Sequence, residues 1–106
     1  MGDELGGVWK MAREGRDMRL RARRDLNHTE IREAFRRLGW SVWDTAACGH
    51  GAPDLVVGKH GRNVLVEIKS PGGVLTQDEA DFSMAWGGEY VTIRSLEDVV
   101  RLTERR

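Results

Sequence analysis

The chain has 106 residues, with 17 Lys and Arg against 17 Asp and Glu, 40% hydrophobic residues, four Trp and one Cys. That length fits one small domain, because chains usually split only beyond roughly 250 residues. A single Cys excludes an internal disulfide framework and a cysteine-based zinc site, and no apolar run approaches the ~20 residues of a membrane-spanning helix. The start, Met1 to Lys10, lacks the apolar core of a secretory signal. Together these lead us to expect a folded domain in a reducing cytoplasm. A net charge of zero weighs at first against a nucleic-acid partner, but the average conceals an asymmetry. Trp9 to Arg37 carries ten Lys/Arg and five Asp/Glu, a net of +5, whereas Asp44 to Arg106 carries seven and ten, a net of −3. An Arg-rich block of this kind marks either nucleic-acid contact or a solvated helix face.

In chain order, residues 1–24 have early glycines and then the run Arg16-Asp17-Met18-Arg19-Leu20-Arg21-Ala22-Arg23-Arg24, too poor in apolar positions for a core. They read as a basic arm, with the folded unit spanning 25–106. Arg16, Arg19, Arg21, Arg23 and Arg24 are the candidate phosphate contacts, and Trp9 is a candidate base-stacking residue. Ile31, Ala34, Phe35 and Leu38 recur at i, i+3, i+4 and i+7, an amphipathic helix that Asn27 or Thr29 can cap and Gly39 can end. Trp40 to Thr45 reads as a strand. The glycines and proline of Ala46 to Pro53 make a loop, and Leu55 to Val57 a short buried strand. Lys59 to Arg62 forms a tight turn. In Asn63 to Lys69, Val64, Val66 and Ile68 point one way and Leu65, Glu67 and Lys69 the other. After the break at Ser70 to Gly73, a helix runs from Thr76 to about Trp86, a strand from Tyr90 to Ile93, and a helix capped by Ser95 carries Leu96, Val99, Val100 and Leu102. The order α-β-β-β-α-β-α describes one small α/β layer structure. Trp40, Trp43 and Trp86 read as core, and Cys48 as an inert thiol.

Chemistry concentrates in Pro53-Asp54 and, 13 residues later, Glu67-Ile68-Lys69. A hairpin through residues 59–62 brings Asp54 beside Glu67 and Lys69 on the neighbouring strand. Two adjoining carboxylates favour a hard divalent cation, Mg²⁺ or Mn²⁺, and a nearby ammonium can orient water or offset charge on a phosphate. The set suits phosphodiester hydrolysis without a covalent nucleophile.

Gly51-Ala52-Pro53-Asp54-Leu55-Val56-Val57-Gly58, Val64-Leu65-Val66-Glu67-Ile68-Lys69 and Leu75-Thr76 resemble the VRR-NUC domain of the PD-(D/E)XK nuclease superfamily. Stand-alone members are mostly phage and prophage proteins. The resemblance covers roughly 25–100 and implies a restriction-endonuclease-like mixed sheet flanked by helices. It also implies metal ligation by Asp54, Glu67 and the backbone carbonyl of Ile68, with Lys69 stabilising charge or positioning water. Glu30 stands where members carry an acidic residue on the first helix; Asn27-His28-Thr29-Glu30 also has capping-box form. Glu79 stands where the family often has Gln, the nearest Gln being Gln77, and Thr76-Gln77-Asp78-Glu79 is again a capping-box sequence. His50 lies near enough in sequence to touch substrate. The expectation is a divalent-metal-dependent endodeoxyribonuclease acting as a homodimer on branched DNA such as four-way junctions, in a bacterial host if phage-encoded, with no membrane partner and no organic cofactor. Flap-, nick- or duplex-directed cleavage, and a catalytically weak DNA-binding accessory protein, are the alternatives.

Overall fold

The computed structural model describes residues 27–105; the proposed basic arm, with its arginines and Trp9, lies outside them. The chain forms helix α1 (27–37), strand β1 (Ser41–Asp44), a single 3₁₀ turn (Ala46–Cys48), β2 (Leu55–Lys59), β3 (Arg62–Ile68), α2 (Gln77–Ala85), β4 (Glu89–Ile93) and α3 (Leu96–Glu104). The four strands make one mixed sheet in the order β1-β2-β3-β4, antiparallel across β1–β2 and β2–β3, parallel across β3–β4. The architecture is therefore mixed α/β. None of the described helices is long and apolar enough to cross a membrane.

The two-residue period of β3 places Val64 and Val66 on one sheet face, beside Val57 and Leu55 of β2. Ile31 and Phe35 of α1 and Val99 and Leu102 of α3 close over this face, and all eight side chains are essentially fully buried. Burial of each large aliphatic or aromatic side chain contributes on the order of 1.5–3 kcal/mol, so this layer fixes where β2 and β3 meet. The end of α1 shows why Gly39 follows it. Gly39, at φ 90°, donates to Arg36, and Trp40 donates to Phe35, the paired bonds of a Schellman stop. Trp40 then leaves the strand it was expected to begin. Its ring packs edge-on against Phe35 and its Nε1–H donates to Thr103 Oγ1 at 2.8 Å. The β2–β3 hairpin closes through His60 and Gly61, both at positive φ, as a two-residue turn that suits the strands' twist.

The opposite face carries Trp43, Val56, Leu65 and Tyr90 in register from β1 to β4. α2 covers only its β3–β4 side, where Phe82 lies between Trp86 and Tyr90, at ring separations of 5.9 and 6.1 Å. Trp43 is consequently 68% exposed, which corrects its assignment to the core, and Trp86 is also exposed. Asn27 is already helical, so the first turn of α1 does not start with Asn27 or Thr29 as its cap.

Candidate active site

A cleft of about 710 Å³ opens where the end of β3, the start of β2 and the start of α2 converge. Asp54, Glu67, Ile68, Lys69, Thr76 and Glu79 line it, joined by Asn27 and His28 from α1. Three backbone-level bonds fix Asp54 immediately before β2. Its N–H donates to Val66 O at 2.9 Å, its carbonyl accepts from Thr45 N–H at 2.8 Å, and its Oδ2 accepts from Ile68 N–H at 2.8 Å. The carboxylate thus clamps the last turn of the β2–β3 ladder while its other oxygen remains for chemistry. Thr45 reinforces the corner by donating its hydroxyl to Pro53 O at 2.7 Å.

Glu67 is only 2% exposed, although it stands on a strand between hydrophobic neighbours. Its Oε2 is buried without a hydrogen-bond partner, and Lys69 Nζ lies 3.7 Å from its Oε1. Burial, then contact with Glu79 and the charge of Asp54, push the Glu67 carboxyl up to about 9, against the pull of Lys69. Glu79 goes the other way. Its contact with Glu67 is the largest influence, and with bonds from Lys69 and Thr76 it outweighs burial and holds Glu79 down at about 2. Their proximity thus drives the two acids in opposite directions, Glu67 toward the neutral form and Glu79 toward the carboxylate. A buried, unpartnered carboxylate oxygen beside a second carboxylate is costly without a compensating charge.

Among the described residues no three His, Cys, Asp or Glu side chains converge as a ready-made metal cage. The carboxylates of Asp54, Glu67 and Glu79 line the cleft, and Asp54 and Glu67, with the Ile68 carbonyl that the resemblance implies, make a hard oxygen set that fits Mg²⁺ or Mn²⁺ with water completing the shell. The orphaned Glu67 Oε2 is the observation that favours this fit.

Asp54, Glu67 and Lys69 are thus brought together as the spacing suggested, and Ile68 and Glu79, named by the resemblance, line the same cleft. Glu30 does not. It is exposed and lines a separate groove with Ala34, Leu38, Leu96 and Val100, because its position on α1 faces α3. Gln77 is exposed and donates to Asp81 at 2.8 Å, away from the cleft. His50, at φ 55°, is exposed and outside the cleft lining. Sequence reasoning missed Asn27, whose amide donates to Lys69 O at 3.5 Å, and Tyr90, whose buried hydroxyl has no partner. Desolvation, then the charges of Glu67, Glu79 and Asp54, push that hydroxyl up to about 12. It missed too the tie at the cleft mouth, where His28 and Arg32 meet Asp44 Oδ2 at 3.1 and 3.0 Å. Asn27 looked like a cap and Tyr90 only like the start of a strand; the register of β4 puts Tyr90 beside this face of β3. No protein-family model, curated protein or solved structure matches the chain.

Proposed function

We propose that this protein is a divalent-metal-dependent endodeoxyribonuclease with a restriction-endonuclease-like core, hydrolysing phosphodiester bonds in branched DNA as a homodimer. The observation that carries the reading is the buried Glu67 carboxyl, with an orphaned oxygen, sharing one open cleft with Asp54 and Lys69. Asp54, Glu67 and the Ile68 carbonyl would hold the cation. When bound, it supplies Lewis acidity and lowers the pKa of a coordinated water. The Lys69 ammonium offsets the charge that develops on the phosphoryl oxygens as water adds to phosphorus and the scissile P–O bond breaks. No thiol or hydroxyl nucleophile is needed, in keeping with the exposed Cys48 lying off the cleft lining. The Arg-rich block before α1, Arg16 to Arg24, supplies phosphate contacts, and a two-fold dimer gives so small a domain grip on two duplex arms.

One observation favours a second reading, a DNA-binding protein with little turnover. Glu79, at the position where the resemblance implies a neutral amide, adds a third carboxylate to the cleft lining, where phosphate would enter. Labelled four-way junction, flap, splayed and duplex DNAs, incubated with Mg²⁺ or Mn²⁺ beside Glu67→Ala protein, separate the readings. The nuclease reading expects metal-dependent nicks, strongest on the branched DNAs and absent from the variant. Binding without cleavage of any DNA supports the accessory protein.

A further inference from the structure

Lys69 is the only lysine or arginine lining the cleft among the described residues. It stands one residue beyond β3, where its flexible stem would let the ammonium sample much of the cleft. The structure gives it one location. Nζ is 2.7 Å from Glu79 Oε1 and 3.7 Å from Glu67 Oε1. Glu79 is itself immobilised by the start of α2. Its Oε1 accepts the Thr76 N–H at 2.8 Å, while its own N–H donates to Thr76 Oγ1 at 3.2 Å, a complete capping box. A pair of free surface side chains gains little because both must be ordered. Here the helix start has already ordered one of them, so only the lysine stem is restrained.

Resting on the nuclease reading, we propose that Glu79 is a positioning residue, a helix-start carboxylate that pins the Lys69 ammonium against Glu67 so that the lysine meets the scissile phosphate from a fixed point. The choice of acid follows from the double duty. Gln satisfies the capping box equally well, but its neutral amide would not hold an ammonium as an ion pair. The carboxylate thereby accounts for the departure from the amide that the resemblance leads one to expect.

Glu79→Gln tests this because it keeps the helix cap and removes the tether. Thr76→Ala is the complementary variant, loosening the cap while leaving the carboxylate and its backbone bond. For cleavage of junction DNA with Mg²⁺, Glu79→Gln should lower kcat by about 10- to 100-fold, the scale expected when a catalytic group is misplaced, with KM within about 2-fold. Thr76→Ala should lose thermal stability while keeping the Lys69–Glu79 ion pair. In isotope-labelled protein, the Lys69 ammonium should give a protected side-chain nitrogen signal in wild type and Thr76→Ala that is lost in Glu79→Gln. A kcat for Glu79→Gln within about 2-fold of wild type overturns the proposal, as does a Lys69 signal unchanged in Glu79→Gln. If wild type cleaves no DNA, the nuclease reading fails, and the Lys69 signal alone decides whether the tether exists.

Discussion

Replacing Glu67 by Gln removes a titrating group from the cleft while preserving its shape and a hydrogen-bond donor toward Glu79. In the folded chain, burial first, then Glu79 and Asp54, raise the Glu67 carboxyl from its ordinary 4.5 to about 9. A raised acid in the folded state means that folding takes up a proton at any pH between those values, so stability falls as pH rises through that window. One proton corresponds to ~1.4 kcal/mol per pH unit, or at most ~4 kcal/mol between about pH 5 and about pH 8. Part of this is relieved because the cleft is open to solvent and Glu79 and Lys69 can readjust, leaving on the order of 2 kcal/mol. Glu79 does not blur the result: held at about 2, its contribution is present above its unfolded value near 4.5 and is lost only below it. Urea unfolding in chelator at the two pH values should therefore show wild type losing on the order of 2 kcal/mol more than Glu67→Gln. Added Mn²⁺ at the higher pH should restore wild type and leave the variant unchanged. Parallel pH profiles for the two proteins would refute the argument that Glu67 is a buried, proton-holding carboxyl.

Arg62 bonds Glu89, donates to the carbonyls of Leu102 and Arg105 at 3.1 and 3.0 Å, and lies over the Trp40 ring. Arg62→Ala should cost about 2–3 kcal/mol, read as a fall in Tm, with cleavage per folded molecule unchanged because none of these contacts reaches the cleft. Gly51→Ala places a Cβ 2.8 Å from Asp78 O at a φ of +79°, so it should destabilise by about 1–3 kcal/mol in chemical denaturation and shift the start of α2. Neutralising Arg16, Arg19 and Arg21 to Gln should weaken duplex binding and flatten the slope of log affinity against log salt by about 0.9 per contact removed, measured by anisotropy titration.

The elements were legible because each rests on local chemistry. The i, i+3, i+4, i+7 stripe of α1 and the alternation of β3 report directly which atoms can be buried, and Gly39, Ser70 to Gly73 and Ser95 mark the limits. Asp54, Glu67 and Lys69 were legible as a set because a hairpin of known register brings them together. What escaped depended on tertiary placement. Trp43 alternates correctly for an inward residue, yet α2 covers only the β3–β4 half of its face, and no local pattern states how far a helix reaches. Glu30 fits a site and a cap equally well as sequence, but the packing of α1 on α3 turns it into another groove. Glu79 illustrates the limit most clearly. Capping box and cleft contact looked like competing assignments, and the same carboxylate makes both.

The most direct test of the proposed chemistry compares wild type with Asp54→Asn in Mg²⁺-dependent cleavage of a labelled four-way junction. Asparagine can still accept the Ile68 N–H, so the β2–β3 corner survives while one anionic ligand is lost. The proposed site requires wild type to nick the junction only with Mg²⁺ or Mn²⁺, and the variant to bind it with rates reduced by at least about 100-fold. Equal cleavage by the two proteins, or cleavage that persists in chelator, would contradict it.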